Sequence, residues 1–190
     1  MKKTNKAYKQ ILQRYFPFCP HCGKRFQLKA CDYVKELVCL SCGYTMWLNS
    51  KPTASCFLIN ERKEVLLSKR AIMPLQGWWD VPGGFLELGE TPECGAKREI
   101  KEELGVQLRH ITMLPCIYIG TYETMPIQLT LNTYFVSHIS SRTTLEPQDD
   151  VSEVSWFPIH ALPKKIAFEN NKKALRLLMR DFSQIIKRIS

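Results

Sequence analysis

One segment near the middle of the chain limits the possible folds more than any other. It spans Gly84–Val106 and reads GFLELGETPECGAKREIKEELGV. Thr91 followed by Pro92 is typical of a helix start, with threonine as the N-cap and proline at the first helical position. Gly105 lies where such a helix would stop. The segment therefore predicts a loop, a helix and a second loop.

The predicted helix has two faces of different character. Residues related by i, i+3 and i+4 share one face of a helix, and here these are the carboxylates of Glu99, Glu102 and Glu103. The adjoining stripe is apolar and consists of Ala96, Ile100 and Leu104. Such a helix can pack on a sheet while its carboxylates face a cleft. The alternative is a solvated acidic face balanced by Lys97, Arg98 and Lys101.

Clustered carboxylates suit one kind of chemistry in particular. Attack of water on a pyrophosphate requires divalent cations to neutralise the phosphate oxygens, and carboxylates hold such cations and accept protons. The spacing also resembles the Nudix box, which is G, five residues, E, seven residues, then R-E-apolar-x-E-E-x-G-apolar. The fixed positions are filled by Gly84, Glu90, Arg98, Glu99, Ile100, Glu102, Glu103, Gly105 and Val106.

The resemblance to the Nudix family implies an α/β fold, an α/β/α sandwich with a mixed sheet, and hydrolysis of phosphorus anhydrides in nucleoside diphosphate derivatives. It implies that the Gly84 carbonyl, Glu99 and Glu103 bind Mg²⁺ or Mn²⁺, and that Glu102 contacts a metal or its water. Glu90 and Arg98 would form an ion pair that orients the helix. The general base would be a box glutamate or a carboxylate of a later loop, which here contains Glu146, Asp149, Asp150 and Glu153.

Five further residues are candidates for binding the substrate. Lys69 and Arg70 end a predicted strand, and an arginine fork suits a pyrophosphate, although an exposed strand end has the same pattern. Trp78 and Phe85, with Trp79 between them, are candidates for stacking on an adenine or flavin ring. Aromatic residues beside a glycine turn can instead belong to the core.

Four of the eight cysteines form two Cys-x-x-Cys pairs with sixteen residues between them. A glycine follows each pair and permits a tight turn. The spacing predicts a four-thiolate zinc site, and since it leaves no open coordination position the Zn²⁺ would be structural. Two disulfides or a redox pair are the alternatives, and a reducing compartment disfavours disulfides. The predicted ligands are Cys19, Cys22, Cys39 and Cys42.

The pattern along the chain predicts three parts: an N-terminal helix (1–16), a zinc ribbon (17–50) and a Nudix domain (51–190) that contains the box (84–106). In the last part, alternating or apolar runs predict strands and an amphipathic pattern predicts a closing helix. The predicted strands are 53–59, 65–68, 108–121, 126–137 and 151–157, and the helix is 170–188.

The net charge of +9 is unevenly distributed. Residues 1–52 carry +8, residues 53–160 carry −5 and residues 161–190 carry +6. Basic ends can attract a polyanion such as RNA or a dinucleotide, or they can simply solubilise the surface. No run of about 18 apolar residues predicts a membrane span, and the N-terminus lacks the apolar core of a secretory signal. We therefore expect a cytoplasmic protein with no membrane partner.

The order of ribbon and box narrows the expected substrate. A ribbon followed by the box resembles the NADH pyrophosphatases, but their S-Q-P-W-P-F-P-x-S signature is absent here and residues 117–126 take its place. The same order is similar to ribbon-bearing Nudix proteins like the plant plastid FAD pyrophosphatases. The second similarity rests on Gly77-Trp78, Trp156-Phe157 and residues 166–168. We expect a pyrophosphatase that releases AMP from FAD, NADH or ADP-ribose, and family resemblance also suggests a homodimer. The alternatives are an NAD-cap type RNA 5′-cap hydrolase and a non-catalytic nucleotide-sensing regulator.

Overall fold

The computed structural model describes residues 14–26, 36–47, 49–121 and 129–189. The chain divides into two compact units, Met1–Ser50 and Lys51–Ser190. Most of the predicted N-terminal helix, residues 1–13, lies outside the described residues. Among the helices that are described, none combines the length and the apolar character needed to cross a membrane.

The first unit contains two equivalent turns and a short hairpin. In each turn a glycine N–H donates to the carbonyl of the first cysteine, Gly23 to Cys19 (2.9 Å) and Gly43 to Cys39 (2.8 Å). Both glycines have a φ near +70°, a conformation that favours glycine. The hairpin pairs β1 (Glu36–Val38) with β2 (Thr45–Trp47) in antiparallel register.

A seven-stranded sheet forms the centre of the second unit. The strands are β3 (Lys51–Ile59), β4 (Glu64–Arg70), β5 (Trp79–Asp80), β6 (Gly83–Phe85), β7 (Thr112–Thr121), β8 (Leu129–His138) and β9 (Val151–Pro158). Five of them follow the order β5-β4-β3-β8-β7, while β6 pairs with β3 and β9 with β4. β3 and β8 are parallel and the other pairs are antiparallel, so the sheet is mixed, as predicted.

One helix packs on each face of this sheet. Because side chains alternate along a strand, β3 supplies both cores. Ala54, Cys56 and Leu58 contribute to the core that contains α1 (Pro92–Leu104), and Phe57 and Ile59 to the core that contains α2 (Glu169–Ile189). The predicted α/β/α sandwich is confirmed.

The boundaries agree with the predicted pattern except after α1. A strand was predicted from residue 108, but β7 begins at Thr112. Val106 and Leu108 are buried in the α1-side core before the strand starts, which explains the apolar alternation of this loop. The predicted strand 126–137 corresponds to β8, with residues 126–128 outside the described part.

Candidate active site

Helix α1 begins and ends at the predicted residues. The Thr91 hydroxyl accepts a hydrogen bond from the Cys94 N–H (3.3 Å) and Pro92 occupies the first turn. Gly105 adopts the left-handed conformation, with φ of 70°, and its N–H donates to the Lys101 carbonyl. The caps fix the length of the helix and thereby the row of carboxylates along it.

Two adjacent glycines bring the backbone against these carboxylates. In β6, Gly83 pairs with Ser55 and Gly84 with Ala54 of β3. A Cβ on Gly84 would lie 2.5 Å from Glu99 Oε1, so only glycine allows this carboxylate to lie directly on the strand. The result is a cradle of backbone and carboxylate oxygens, the ligands that hard divalent cations prefer.

Glu103 lies deeper in the same cradle. Its residue is 5% exposed, and Oε2 accepts a hydrogen bond from the Gly83 N–H (3.2 Å). Burial raises the pKa of Glu103 well above its ordinary value, and the nearby charges of Asp150, Glu99 and Asp80 raise it further. Burial also raises the pKa of Glu99, against the opposing effect of Arg98. Glu103 thus lies among negative charges that a divalent cation would offset, whereas Glu99 already has Arg98 as a positively charged partner.

Arg98 organises the outer part of the cradle. Its Nε and Nη2 donate to the two oxygens of Glu90 at 2.9 Å each, a bidentate pair. Nη1 donates to Glu99 (2.9 Å) and to Glu102 (2.8 Å), and Nη2 also reaches the Phe85 carbonyl (2.9 Å). The bonds from Arg98 lower the pKa of Glu90 and, reciprocally, raise the pKa of Arg98. The Glu102 side chain is 49% exposed and faces solvent.

The acidic loop predicted as an alternative source of the base is tied to the end of α1. The N–H groups of Gln148 and Glu146 donate to the carbonyls of Glu103 (2.9 Å) and Leu104 (3.1 Å). Of the four loop carboxylates, Asp150 acts electrostatically on both Glu99 and Glu103. Burial raises the pKa of Asp150 itself, opposed by Arg70.

The other three loop carboxylates have different surroundings. Glu153 forms an ion pair with Lys69 (2.8 Å). Glu146 is exposed, lies near Gly105 and accepts a bond from Gln148 (3.2 Å). Asp149 is also exposed. Of the four loop carboxylates, Asp150 is therefore the one whose charge acts on the glutamates of the cradle.

Arg70 points inward from the end of β4. Its Nε donates to the Pro74 carbonyl (2.8 Å) and its Nη1 to Asp80 (3.1 Å), while Nη2 is buried without a hydrogen-bond partner among the described residues. Because the side chain is only 10% exposed, an unpaired donor at this position is costly unless an anion binds it.

Asp80 is a site residue that the sequence analysis missed. It is buried, and burial raises its pKa to about 6, opposed by Arg70. It accepts hydrogen bonds from the Val81 N–H (2.9 Å) and from the amide of Asn171. The one available signal was an aspartate between Trp79 and Val81 in an apolar run, a setting in which a charged residue needs a partner.

A chain of polar groups connects Asp80 to the first turn of α2. The Tyr134 hydroxyl donates to Asn171 Oδ1 (2.6 Å) and accepts from Asn170 Nδ2 (2.9 Å). All three side chains are buried. This network anchors the strand that leads into the two glycines. The sequence did not predict it, because two adjacent asparagines at a helix start carry no local signal of a buried partner.

The remaining candidates lie at the rim. Lys69 Nζ is paired with Glu153 and lies 5.3 Å from the centre of the Trp79 ring. Trp78 is half-buried, with Lys172 Nζ 6.0 Å from its ring centre. Phe85 lines a groove of about 220 Å³ together with Lys51, Pro52 and Leu86.

The four predicted zinc ligands converge in the first unit. Their sulfur atoms all lie within 4.8 Å of one another, with Cys19–Cys42 at 3.8 Å and Cys22–Cys39 at 3.6 Å. A tetrahedral zinc with Zn–S bonds of about 2.3 Å would space its sulfurs about 3.8 Å apart. The described cysteines are free thiols, so the cluster can bind zinc without rearranging disulfides.

Comparison with known proteins identifies the family of the second unit's fold. The family model for the NUDIX domain matches residues 49–178. The chain belongs to the Nudix family. The structure of a NUDIX hydrolase from Nitrosomonas europaea superposes with a TM-score of 0.67 at 26% identity, covering 87% of this chain and 92% of that one.

Two groups of curated Nudix relatives are similar in sequence. NAD-capped RNA hydrolase NudC of Pseudomonas aeruginosa is 30% identical over 153 residues, which is 80% of this chain and 51% of the relative. ADP-ribose pyrophosphatase of Methanocaldococcus jannaschii is 33% identical over 115 residues, 60% of this chain and 66% of the relative. The chain thus spans about half the length of the NudC relatives it matches.

Proposed function

We propose that this Nudix protein hydrolyses the pyrophosphate bond of a dinucleotide, with FAD, NADH and ADP-ribose as the preferred candidates and AMP as one product. The observation that carries the proposal is the cradle at Gly84, where the Glu99 carboxylate lies against the strand and Glu103 is buried beside it. Desolvated carboxylates with raised pKa values and intact box spacing favour catalysis over a solvated acidic face or a nucleotide sensor.

The donor set fits Mg²⁺ or Mn²⁺. We propose that the Gly84 carbonyl, Glu99 and Glu103 hold the cation and that Glu102 binds a second cation or its water. When bound, such cations neutralise the phosphate oxygens and make a water molecule more acidic. Glu90 acts through Arg98, whose guanidinium fixes the positions of Glu99 and Glu102.

Two carboxylates are suited to accept the proton of the attacking water. Glu102 is half-exposed at the open side of the cradle, and Asp150 acts electrostatically on both Glu99 and Glu103 from the neighbouring loop. We assign the role to Glu102, because its exposed side chain can reach a water molecule at the open side of the cradle, whereas Asp150 is partly buried. The variants Glu102→Gln and Asp150→Asn distinguish the two candidates. Loss of the general base lowers the rate by about 10² to 10⁴, so the variant with the larger loss identifies the base.

Arg70 is suited to bind a phosphate oxygen of the substrate. Its Nη2 has no hydrogen-bond partner among the described residues, and because this atom is buried a phosphate oxygen can reach it only after a neighbouring group moves aside. The bonds to Pro74 and Asp80 hold the rest of the guanidinium in place. For stacking on the base or flavin ring we favour Phe85 over Trp78, because Phe85 lines an open groove beside the box. Lys69, paired with Glu153, is assigned to the rim.

The relatives support two substrate forms. One group acts on ADP-ribose and the other on NAD-capped RNA, and the free dinucleotide and the capped RNA end present the same kind of phosphorus anhydride. The second candidate function, NAD-cap hydrolysis, is favoured by the 30% identity to NudC across 80% of this chain.

A substrate screen with mass-spectrometric product detection tests the proposal. FAD, NADH, NAD, ADP-ribose, ADP-glucose and NAD-capped RNA are incubated with Mg²⁺ or Mn²⁺. Release of AMP or of a 5′-monophosphate end, dependent on the cation, supports it. Tight nucleotide binding without turnover of any of these compounds would instead favour a sensor.

For the first unit we propose a structural Zn²⁺ held by the four cysteines. Four thiolates complete a tetrahedral shell and leave no position for a reacting water, so the metal would stabilise the two turns without taking part in hydrolysis.

A further inference from the structure

A groove of about 290 Å³ lies between strand β7 and helix α2, away from the cradle residues. Tyr118 of β7 contributes a half-buried aromatic ring, which lies 6.0 Å from the ring of buried Tyr134. Three cations and one leucine of α2 form the opposite wall. The lining residues are Tyr118, Lys173, Arg176, Leu177 and Arg180.

The three cations form a row along the groove. Residues 173, 176 and 180 are three and four positions apart and therefore lie on one helix face. With a rise of about 1.5 Å per residue, the row extends roughly 10 Å along the helix axis. Helix α2 as a whole carries six basic and two acidic side chains, so this face has an excess of positive charge.

The charge of this row is available to a ligand. Arg176 pairs with Glu169 and Arg180 with Asp181, but the two arginine side chains are 63% and 72% exposed. Exposed pairs of this kind add little stability and are readily exchanged for other partners. Lys173 forms no ion pair with any described residue of the chain. A polyanion can therefore engage all three cations at little cost.

The groove is joined to the proposed active site through shared residues. Helix α2 starts at the buried network in which Asn171 binds Asp80, and Asp80 precedes the two glycines by three residues. Gly120 of β7, two residues from Tyr118, lies against Asn170. The row of cations thus leads away from the end of α2 that supports the cradle.

We propose that this groove binds the phosphodiester backbone of single-stranded RNA. The inference rests on the proposed function in its capped-RNA form, because the RNA would be the chain attached to the dinucleotide. A positively charged groove with an aromatic side chain is the arrangement that binds single strands without sequence preference. An anionic membrane fits less well, since surface-binding helices expose a broad apolar face, whereas the apolar side of α2 is buried against the sheet.

A matched pair of double variants tests the groove. Lys173→Gln/Arg180→Gln removes one lysine and one arginine from the groove, and Lys187→Gln/Arg188→Gln removes the same two residue types from the end of the same helix. Binding of a fluorescent, uncapped RNA oligonucleotide is followed by anisotropy over a range of salt concentrations, without added divalent cation. Hydrolysis of the best small dinucleotide is measured separately.

The expected result is specific to the groove variant. Loss of two single-strand phosphate contacts should lower the slope of log affinity against log salt by about 1.4 and the affinity at 0.1 M salt by roughly 25-fold. The control variant should bind like the wild type, and both should hydrolyse the small dinucleotide normally.

Three outcomes would overturn the inference: equal affinity of the wild type and the groove variant, equal loss in both variants, or groove-dependent binding to phosphatidylserine vesicles without binding to RNA. Normal RNA binding with no turnover of any substrate would refute the proposed function and leave the groove intact.

Discussion

The two neighbouring glycines of β6 allow a direct test of the cradle. Adding a methyl group at Gly84 should lower activity, whereas adding one at Gly83 should lower stability. At Gly84 the three atoms nearest to the new Cβ would be those of the Glu99 carboxylate, beginning at 2.5 Å. To reach an ordinary contact of 3.4 Å, the carboxylate must move by about 0.9 Å. A misplacement of about 1 Å can cost a hundredfold in rate.

We therefore expect Gly84→Ala to lower kcat about a hundredfold while the protein stays folded, because φ at this position does not require glycine. At Gly83, φ is 142° and the Cβ would lie 2.3 Å from the Ala54 carbonyl oxygen, a backbone atom that cannot move aside. Strain of about 1 to 3 kcal/mol should lower the Tm of Gly83→Ala by roughly 2 to 12 °C.

The assay compares kcat across a Mg²⁺ titration with thermal unfolding for the wild type and both variants. Gly84→Ala should have a lower kcat and a nearly unchanged Tm, and Gly83→Ala should have a lower Tm. If Gly84→Ala keeps the wild-type kcat and metal requirement, the cradle is not the metal site. A Tm of Gly83→Ala equal to that of the wild type would refute the steric argument.

Two further predictions concern Asp80 and the cysteine cluster. Burial raises the pKa of Asp80 from 3.8 to about 6, so the folded state binds this proton more tightly, and the free energy of unfolding should fall by about 2 kcal/mol as pH rises from 4 to 6. In urea titrations of metal-free protein, Asp80→Asn should lose that part of the pH dependence; identical profiles would contradict it. Cys39→Ser should lose zinc in metal analysis, whereas Cys94→Ser, an exposed control outside the cluster, should keep it; full occupancy in Cys39→Ser would exclude the four-thiolate site.

The elements that could be predicted are those with local signals. The ends of α1 follow from Thr91, Pro92 and Gly105, whose effects operate within a few residues. The same is true of the two cysteine turns, where each glycine directly follows its pair. The spacing of the box then orders the carboxylates, because a capped helix leaves their relative directions no freedom.

The parts that could not be predicted depend on contacts distant in sequence. Asp80 and Asn171 are 91 residues apart, and neither carries a periodic pattern that pairs it with the other. The parallel pairing of β3 with β8 joins residues about 79 positions apart, and it decides which face of β8 meets which helix. The ion pair of Lys69 could not be predicted for the same reason, since its partner Glu153 lies on β9.

The central claim is that the carboxylates of α1 support metal-dependent hydrolysis, and the most direct test is the turnover of Glu102→Gln and Glu103→Gln with the best substrate and saturating Mg²⁺. Each variant should be slower than the wild type by at least about a hundredfold, the scale for losing a key base or charge stabiliser. Glu93→Gln, the same substitution at an exposed position in the first turn of α1, should keep the wild-type rate. Near-wild-type turnover of both Glu102→Gln and Glu103→Gln would contradict the account.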